Sequence, residues 1–269
     1  MQIAADLEFE AQGDGEPILF IHGGAICDGD LPLMAEPALR PFKLIRYHRR
    51  GYGGSSRHAG RASFSAQAAD ASALLHSLGV RRTHVVGHSY GGLIAMQLAH
   101  DAPDTVQSLV LSEPALSFLL ASSGPGQGAP FAAMQERVAA RDYVGAVNLI
   151  LSFALGAEWR SQITEMLPGA PEQVDRDAAS TAPYEAALGE FAIDALAAKR
   201  ISHPVLSLRG TASEPRALEV RQLLHTWLTQ TEDFDVVDAT HMLQYHSPDA
   251  ARQVAEGIAS FVERHPIGH

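Results

Sequence analysis

Short apolar runs alternate with longer stretches of helical spacing along most of the chain. Residues 17–22 (Pro-Ile-Leu-Phe-Ile-His), 42–47, 83–88, 106–112, 204–209 and 234–237 read as strands. Residues 65–78, 90–100, 215–229 and 248–263 read as helices. Residues 1–10 alternate and carry acids, which predicts a strand rather than a signal peptide. Strands separated by helices predict an α/β fold with a mostly parallel sheet flanked by helices. Residues 114–200 break this rhythm. They hold helical stretches such as 131–155, a Ser/Gly/Pro loop at 122–128, and no strand. The expected organisation is therefore a core from residues 1–113 and 201–269. Residues 114–200 form an inserted helical cap over the C-terminal ends of the strands, where open α/β sheets bind ligands.

Composition narrows the function. The chain has 269 residues, 46% of them hydrophobic, enough for one large core. Its net charge of -11 argues against nucleic acid and against anionic membrane surfaces. The single cysteine, Cys27, allows no intrachain disulfide and points to a reducing, cytoplasmic setting. No apolar run approaches the roughly 20 residues that a membrane span needs. The expected partner is a small-molecule substrate, and oligomeric state is not legible.

The most specific chemistry lies at Gly87-His88-Ser89-Tyr90-Gly91. A strand turning directly into a helix forces a tight backbone at Ser89, and the flanking glycines permit it. The side chain is then presented above the sheet as a candidate nucleophile. A serine hydroxyl needs a base, and histidine suits proton traffic near neutrality. Of 13 histidines, His241 follows the last strand and can hang over the sheet toward Ser89. His246 sits nearer the final helix, and His22 reads as a loop organiser before Gly23-Gly24. His84 and His88 share a strand and do not meet. Without an H-E-x-x-H pattern, neither a metal nor another cofactor is expected. An oxyanion requires donors: the N–H of Tyr90, next after the nucleophile, and that of Gly24 in the loop after the 17–22 strand.

The segments His22-Gly23-Gly24, Arg49-Arg50-Gly51-Tyr52-Gly53-Gly54-Ser55, Gly87–Gly91 and Thr240-His241-Met242, in this order, resemble the α/β-hydrolase superfamily. The resemblance spans nearly the whole chain, and only 114–200 carries no motif. It implies an eight-stranded, mostly parallel sheet and a triad in the order nucleophile, acid, histidine. Most members place an Asp shortly after the penultimate strand, as G-x-x-D. Here the segment is Gly210-Thr211-Ala212-Ser213-Glu214, with serine in that place. Serine cannot hold an imidazolium electrostatically. Glu113, directly after the 106–112 strand, is assigned as the acid, because some members such as certain haloalkane dehalogenases carry theirs there. Glu214, one residue past the usual position, is the alternative. Haloalkane dehalogenases and epoxide hydrolases of this fold use Asp at the elbow, so Ser89 argues for acyl chemistry.

The resulting expectation is a cofactor-independent serine hydrolase with Ser89, His241 and Glu113 as triad, acting on a small ester or related acyl compound. A lyase, a C–C hydrolase or a perhydrolase on the same triad is the alternative enzyme reading. A weakly catalytic ligand receptor is the non-enzyme reading. Hydroxynitrile lyases of this fold usually use a cap lysine, and Lys199 at the end of the cap is its only one. Arg46, Arg49, Arg50, Arg57 and Arg61 are expected to brace their loop and stay solvated. Cys27 is placed where it could line the pocket. Phe118, Phe131, Phe153, Trp159 and Phe191 suggest an apolar pocket or a cap core.

Overall fold

The computed structural model describes residues 1–57, 63–120 and 129–268. Arg61 and the 122–128 loop lie outside the described residues. The strands are β1 (Gln2–Ala4), β2 (Leu7–Gln12), β3 (Pro17–Ile21), β4 (Lys43–Tyr47), β5 (Thr83–His88), β6 (Val106–Ser112), β7 (Val205–Gly210) and β8 (Thr231–Val236). The helices are α1 (Leu31–Met34), α2 (Phe64–Ser77), α3 (Tyr90–Asp101), α4 (Ala129–Ala139), α5 (Tyr143–Leu155), α6 (Trp159–Met166), α7 (Ala170–Glu185), α8 (Ala195–Ala198), α9 (Arg216–Trp227) and α10 (Pro248–Arg264).

The strands form one eight-stranded sheet in the order β1-β2-β4-β3-β5-β6-β7-β8. From β4 to β8 all neighbours are parallel; β1 and β2 join antiparallel at one edge. The central strands are apolar on both faces because helices cover both. Leu19 and Ile21 of β3 face a core built with α2, α3 and α9, while Ile18 and Phe20 face one built with α1 and α10.

Three expectations change. Residues 1–10 are not one strand: Ala5 and Asp6 take positive φ (50° and 62°), and β1 folds back on β2 as a tight hairpin. The stretch 131–155 breaks at Arg141, whose φ is 61°. There the Asp142 side chain accepts from Gly145 N–H and starts α5 as a separate helix. The last strand begins at Thr231 rather than 234. It is an edge strand, so its Glu and Asp residues face solvent and hide the apolar signal.

A third apolar cluster joins α4–α7 through Met134, Val147, Trp159, Ile163 and Val174. It also takes in Ala25 and Ile26 from the loop after β3, and Met242 and Tyr245 from the loop after β8. The helices between β6 and β7 thus rest on loops that leave the C-terminal edge of the sheet.

Candidate active site

The backbone at Ser89 is strained, with φ 51° and ψ -116°. Packing holds it there. A Cβ on Gly87 would stand 2.5 Å from the Gly91 carbonyl oxygen, and one on Gly91 would stand 2.0 Å from that of Ile21. Only glycines let α3 start so close to the sheet. Ser89 N–H donates to Ser112 O at 2.9 Å, and Ala115 N–H donates to Ser89 O at 3.1 Å, which ties the turn to the end of β6.

Three side chains from three strand ends meet above this turn. Ser89 Oγ lies 3.1 Å from His241 Nε2, and Glu113 Oε2 lies 2.7 Å from His241 Nδ1. The other carboxylate oxygen of Glu113 accepts from Gly210 N–H at 2.9 Å. Glu113 also has positive φ, 41°, which turns its side chain across toward β7. Burial alone would raise its pKa, but the hydrogen bond and charge of His241 outweigh that and lower it. Ser213 helps in the same direction, although its buried hydroxyl makes no hydrogen bond of standard geometry. Glu214 lines the same cavity near the start of α9 but makes no hydrogen bond to His241.

His88 is buried and its pKa is lowered to about 3, chiefly by desolvation and then by His241. It is neutral, and its Nε2–H donates to the His241 carbonyl at 2.8 Å. His84 turns elsewhere, to Ser108 and Glu16. His246 contacts Thr240 Oγ1 at 3.2 Å.

The loop after β3 is held as tightly. His22 is fully buried, with its pKa held well below the usual value by desolvation and then by Arg49. Its Nδ1–H donates to Gly23 O at 2.8 Å, and its Nε2 accepts from Arg49 N–H at 3.0 Å. Ala25 N–H donates to Tyr52 Oη at 3.1 Å. Among the described residues, the N–H groups of Gly24 and Tyr90 have no protein acceptor, and both residues line the cavity.

That cavity has a volume of about 340 Å³ and is lined by Ser89 together with Phe131, Ile150, Leu151, Phe153, Leu155 and Leu188. Of the five aromatics singled out in the sequence, Phe131 and Phe153 line it. Trp159 is buried among α4–α7, while Phe118 and Phe191 pack against the sheet-side core. Lys199 is exposed at the end of α8 and does not reach the cavity.

Of the arginines expected to stay solvated, Arg46 and Arg49 are buried and Arg50 is half-buried, whereas Arg57 is exposed. Arg46 pairs with Glu10 and Asp28, Arg50 with Asp70, and Arg57 with Asp177. Arg49 is 1% exposed and binds Gln67, Gly23 O, Tyr52 and Glu185. A buried charge persists only when so paired, and α7 supplies its partner through Glu185. The sequence offered no sign of Glu185, which closes an unremarkable polar helix.

Cys27 is buried away from the cavity, and desolvation with nearby Asp28 pushes its thiol well above the usual pKa. Its sulfur, Asp28 and His48 lie within 4.8 Å of one another, the one such group among the described residues. The ligand atoms of Asp28 and His48 are already engaged. Asp28 Oδ1 takes Arg46 at 2.7 Å and His48 Nε2 at 3.0 Å, and His48 Nδ1 takes Glu8 at 2.8 Å. Arg46 supplies the positive charge that a cation would bring.

Fold and strand-end loops thus gather the candidate site at the C-terminal edge of the sheet. The chain belongs to the alpha/beta hydrolase fold family, whose model matches residues 16–248. It is 37% identical over 107 residues to a putative carbamate hydrolase, RutD, of Azorhizobium caulinodans, covering 40% of each chain. The chain spans about 40% of the length of the first curated relatives it matches. Among solved structures, it superposes on an N-acyl homoserine lactone degrading enzyme, Est816, with a TM-score of 0.70. That match has 25% identity over 93% of this chain and 96% of the other. The fold is also shared with a thermophilic esterase from Thermogutta terrifontis, with TM-score 0.78, 22% identity, and 97% and 94% coverage. Among the described residues, no helix is long and apolar enough to cross a membrane.

Proposed function

We propose that the protein is a cofactor-independent serine hydrolase that cleaves a small ester or related acyl compound. The observation that carries this reading is the linked pair of contacts, Ser89 Oγ to His241 Nε2 at 3.1 Å and His241 Nδ1 to Glu113 Oε2 at 2.7 Å, opening onto one cavity. His241 takes the proton of Ser89 as Oγ attacks the substrate carbonyl carbon. Glu113, kept ionised, orients the imidazole and stabilises the imidazolium. The N–H groups of Gly24 and Tyr90 hold the oxyanion. His241 then gives its proton to the leaving group, whose bond to the carbonyl carbon breaks and leaves an acyl-serine. Water, deprotonated by His241, releases the acid and restores Ser89. Residues 114–200 serve as the cap that closes the cavity and sets which acyl group fits.

The relatives support acyl and related hydrolytic chemistry in general, since they are named as a carbamate hydrolase, a lactone-degrading enzyme and an esterase. Hydrolysis of p-nitrophenyl acetate and butyrate tests the reading. Turnover by the wild type that disappears in Ser89→Ala supports it. A wild type no faster than Ser89→Ala on both esters contradicts it.

A further inference from the structure

The cavity wall is mostly apolar but carries Ser117, Glu214 and Arg216, and Glu185 enters it from the cap beside Gly24. A carboxylate that is 6% exposed, beside a mostly apolar acyl pocket, requires a reason. Its Oε1 is saturated: it accepts from Arg49 Nη2 at 3.0 Å and from the Tyr52 hydroxyl. Arg49 and Tyr52 are themselves immobile. Arg49 is pinned by Gln67 and Gly23 O, and Tyr52 Oη by the N–H of Ala25. The Glu185 side chain therefore has one fixed position. Its Oε2 has no hydrogen-bond partner among the described residues.

The place of that oxygen is informative. A Cβ on Gly24 would stand 2.5 Å from Oε2. By bond lengths, Oε2 lies within about 4 Å of Gly24 Cα and about 5.5 Å of Gly24 N. A carbonyl oxygen held by Gly24 N–H therefore brings the substituent on its acyl carbon next to a vacant acceptor. Arg49 balances the Glu185 charge, so the pair does not repel the oxyanion.

We infer that Glu185 Oε2 is a substrate anchor that selects acyl compounds carrying a hydrogen-bond donor, N–H or O–H, on the atom next to the carbonyl carbon or one further. This rests on the serine-hydrolase reading above and names the substrate class of that site. A buried acceptor left unpaired by a substrate without a donor costs binding, so discrimination is larger than a methylene would give.

The test compares p-nitrophenyl hydroxyacetate, which donates, with p-nitrophenyl methoxyacetate, which only accepts. In Glu185→Gln the amide oxygen takes over the Arg49 and Tyr52 contacts and turns the NH₂ group into the cavity. The expected result is a fall of about tenfold or more in the hydroxyacetate-to-methoxyacetate ratio of kcat/KM, with the change mainly in KM. A ratio within one protein is insensitive to partial loss of folded enzyme. The dissociation constants of both uncleaved esters for Ser89→Ala and for Ser89→Ala/Glu185→Gln, by calorimetry, give the same ratio without turnover. An unchanged ratio in binding, or no measurable binding of either ester, overturns the anchor. A shifted binding ratio with no wild-type turnover supports the anchor and contradicts the hydrolase reading alone.

Discussion

His88 Nε2 donates to the main-chain carbonyl of His241 at 2.8 Å, so the residue before Ser89 grips the loop that carries the imidazole. The contact fixes the backbone of His241, while Glu113 fixes its ring. His88→Leu keeps approximate volume and removes the donor. Loss of one such bond is worth ~1 kcal/mol, or about five- to tenfold. The expected outcome in steady-state kinetics on p-nitrophenyl butyrate is a kcat lower by about that factor, with KM little changed.

Glu113 and Glu214 make opposite predictions. Glu113 contacts His241 Nδ1 and is held ionised, whereas Glu214 has no bond to that ring. Glu113→Gln is expected to lower kcat by ~10³–10⁴, the effect of disturbing the orienting acid of a serine triad. Glu214→Gln is expected to stay within about threefold of wild type. Ester hydrolysis rates for both variants decide between the two acids.

Gly24 is confined by Glu185 at the end of α7. A methyl group there would stand 2.5 Å from Glu185 Oε2, and Arg49 and Tyr52 prevent that carboxylate from yielding. In Gly24→Ala the loop must move instead, taking its N–H away from the proposed oxyanion position. A displacement near 1 Å costs on the order of 10²-fold in rate. Comparing kcat in Gly24→Ala with that in Gly24→Ala/Glu185→Asp, which shortens the carboxylate but keeps a charge beside Arg49, checks the cause: the second change is expected to restore part of the lost rate.

Much of this architecture was written in local pattern. β5 and α3 are each continuous and almost wholly buried, and the glycines at 87 and 91 mark a backbone that joins them tightly. Glu113 was legible as a carboxylate at a strand end, and the structure brings it to His241 Nδ1. Contacts set by tertiary packing were not legible. The burial of Arg49 depends on Glu185, 136 residues away, and neither position carries a local signal for it. The apolar spacing marks only the end of the edge strand β8, because its exposed acids mask a strand that pairing with β7 creates. The break at Arg141 was hidden because the apolar spacing continues on both sides, and a single positive φ with an Asp cap divides the helix.

Asp30 predicts a pH effect on stability. It is buried beside Gln244, which donates to it at 3.2 Å, with Arg46 and Asp28 nearby. Burial raises its pKa to about 7, against an ordinary 3.8. The folded protein therefore keeps a proton that the unfolded chain loses between about pH 4 and pH 7. Stability falls as pH rises through that window and levels off above it, at up to ~1.4 kcal/mol per pH unit. Asp30→Asn mimics the neutral form. Thermal unfolding is expected to show a higher Tm for the variant at pH 8, by a few degrees, and a difference that shrinks toward pH 5.

The most direct test of the central claim is intact-protein mass spectrometry after brief exposure to a fluorophosphonate. The probe reacts only with a serine whose proton is taken by a base and whose oxyanion is held. The proposed site predicts one stoichiometric adduct, mapped to Ser89, absent in Ser89→Ala and formed far more slowly in His241→Ala. A folded wild-type protein that stays unlabelled, or labels at another residue, would contradict the assignment of Ser89 as nucleophile.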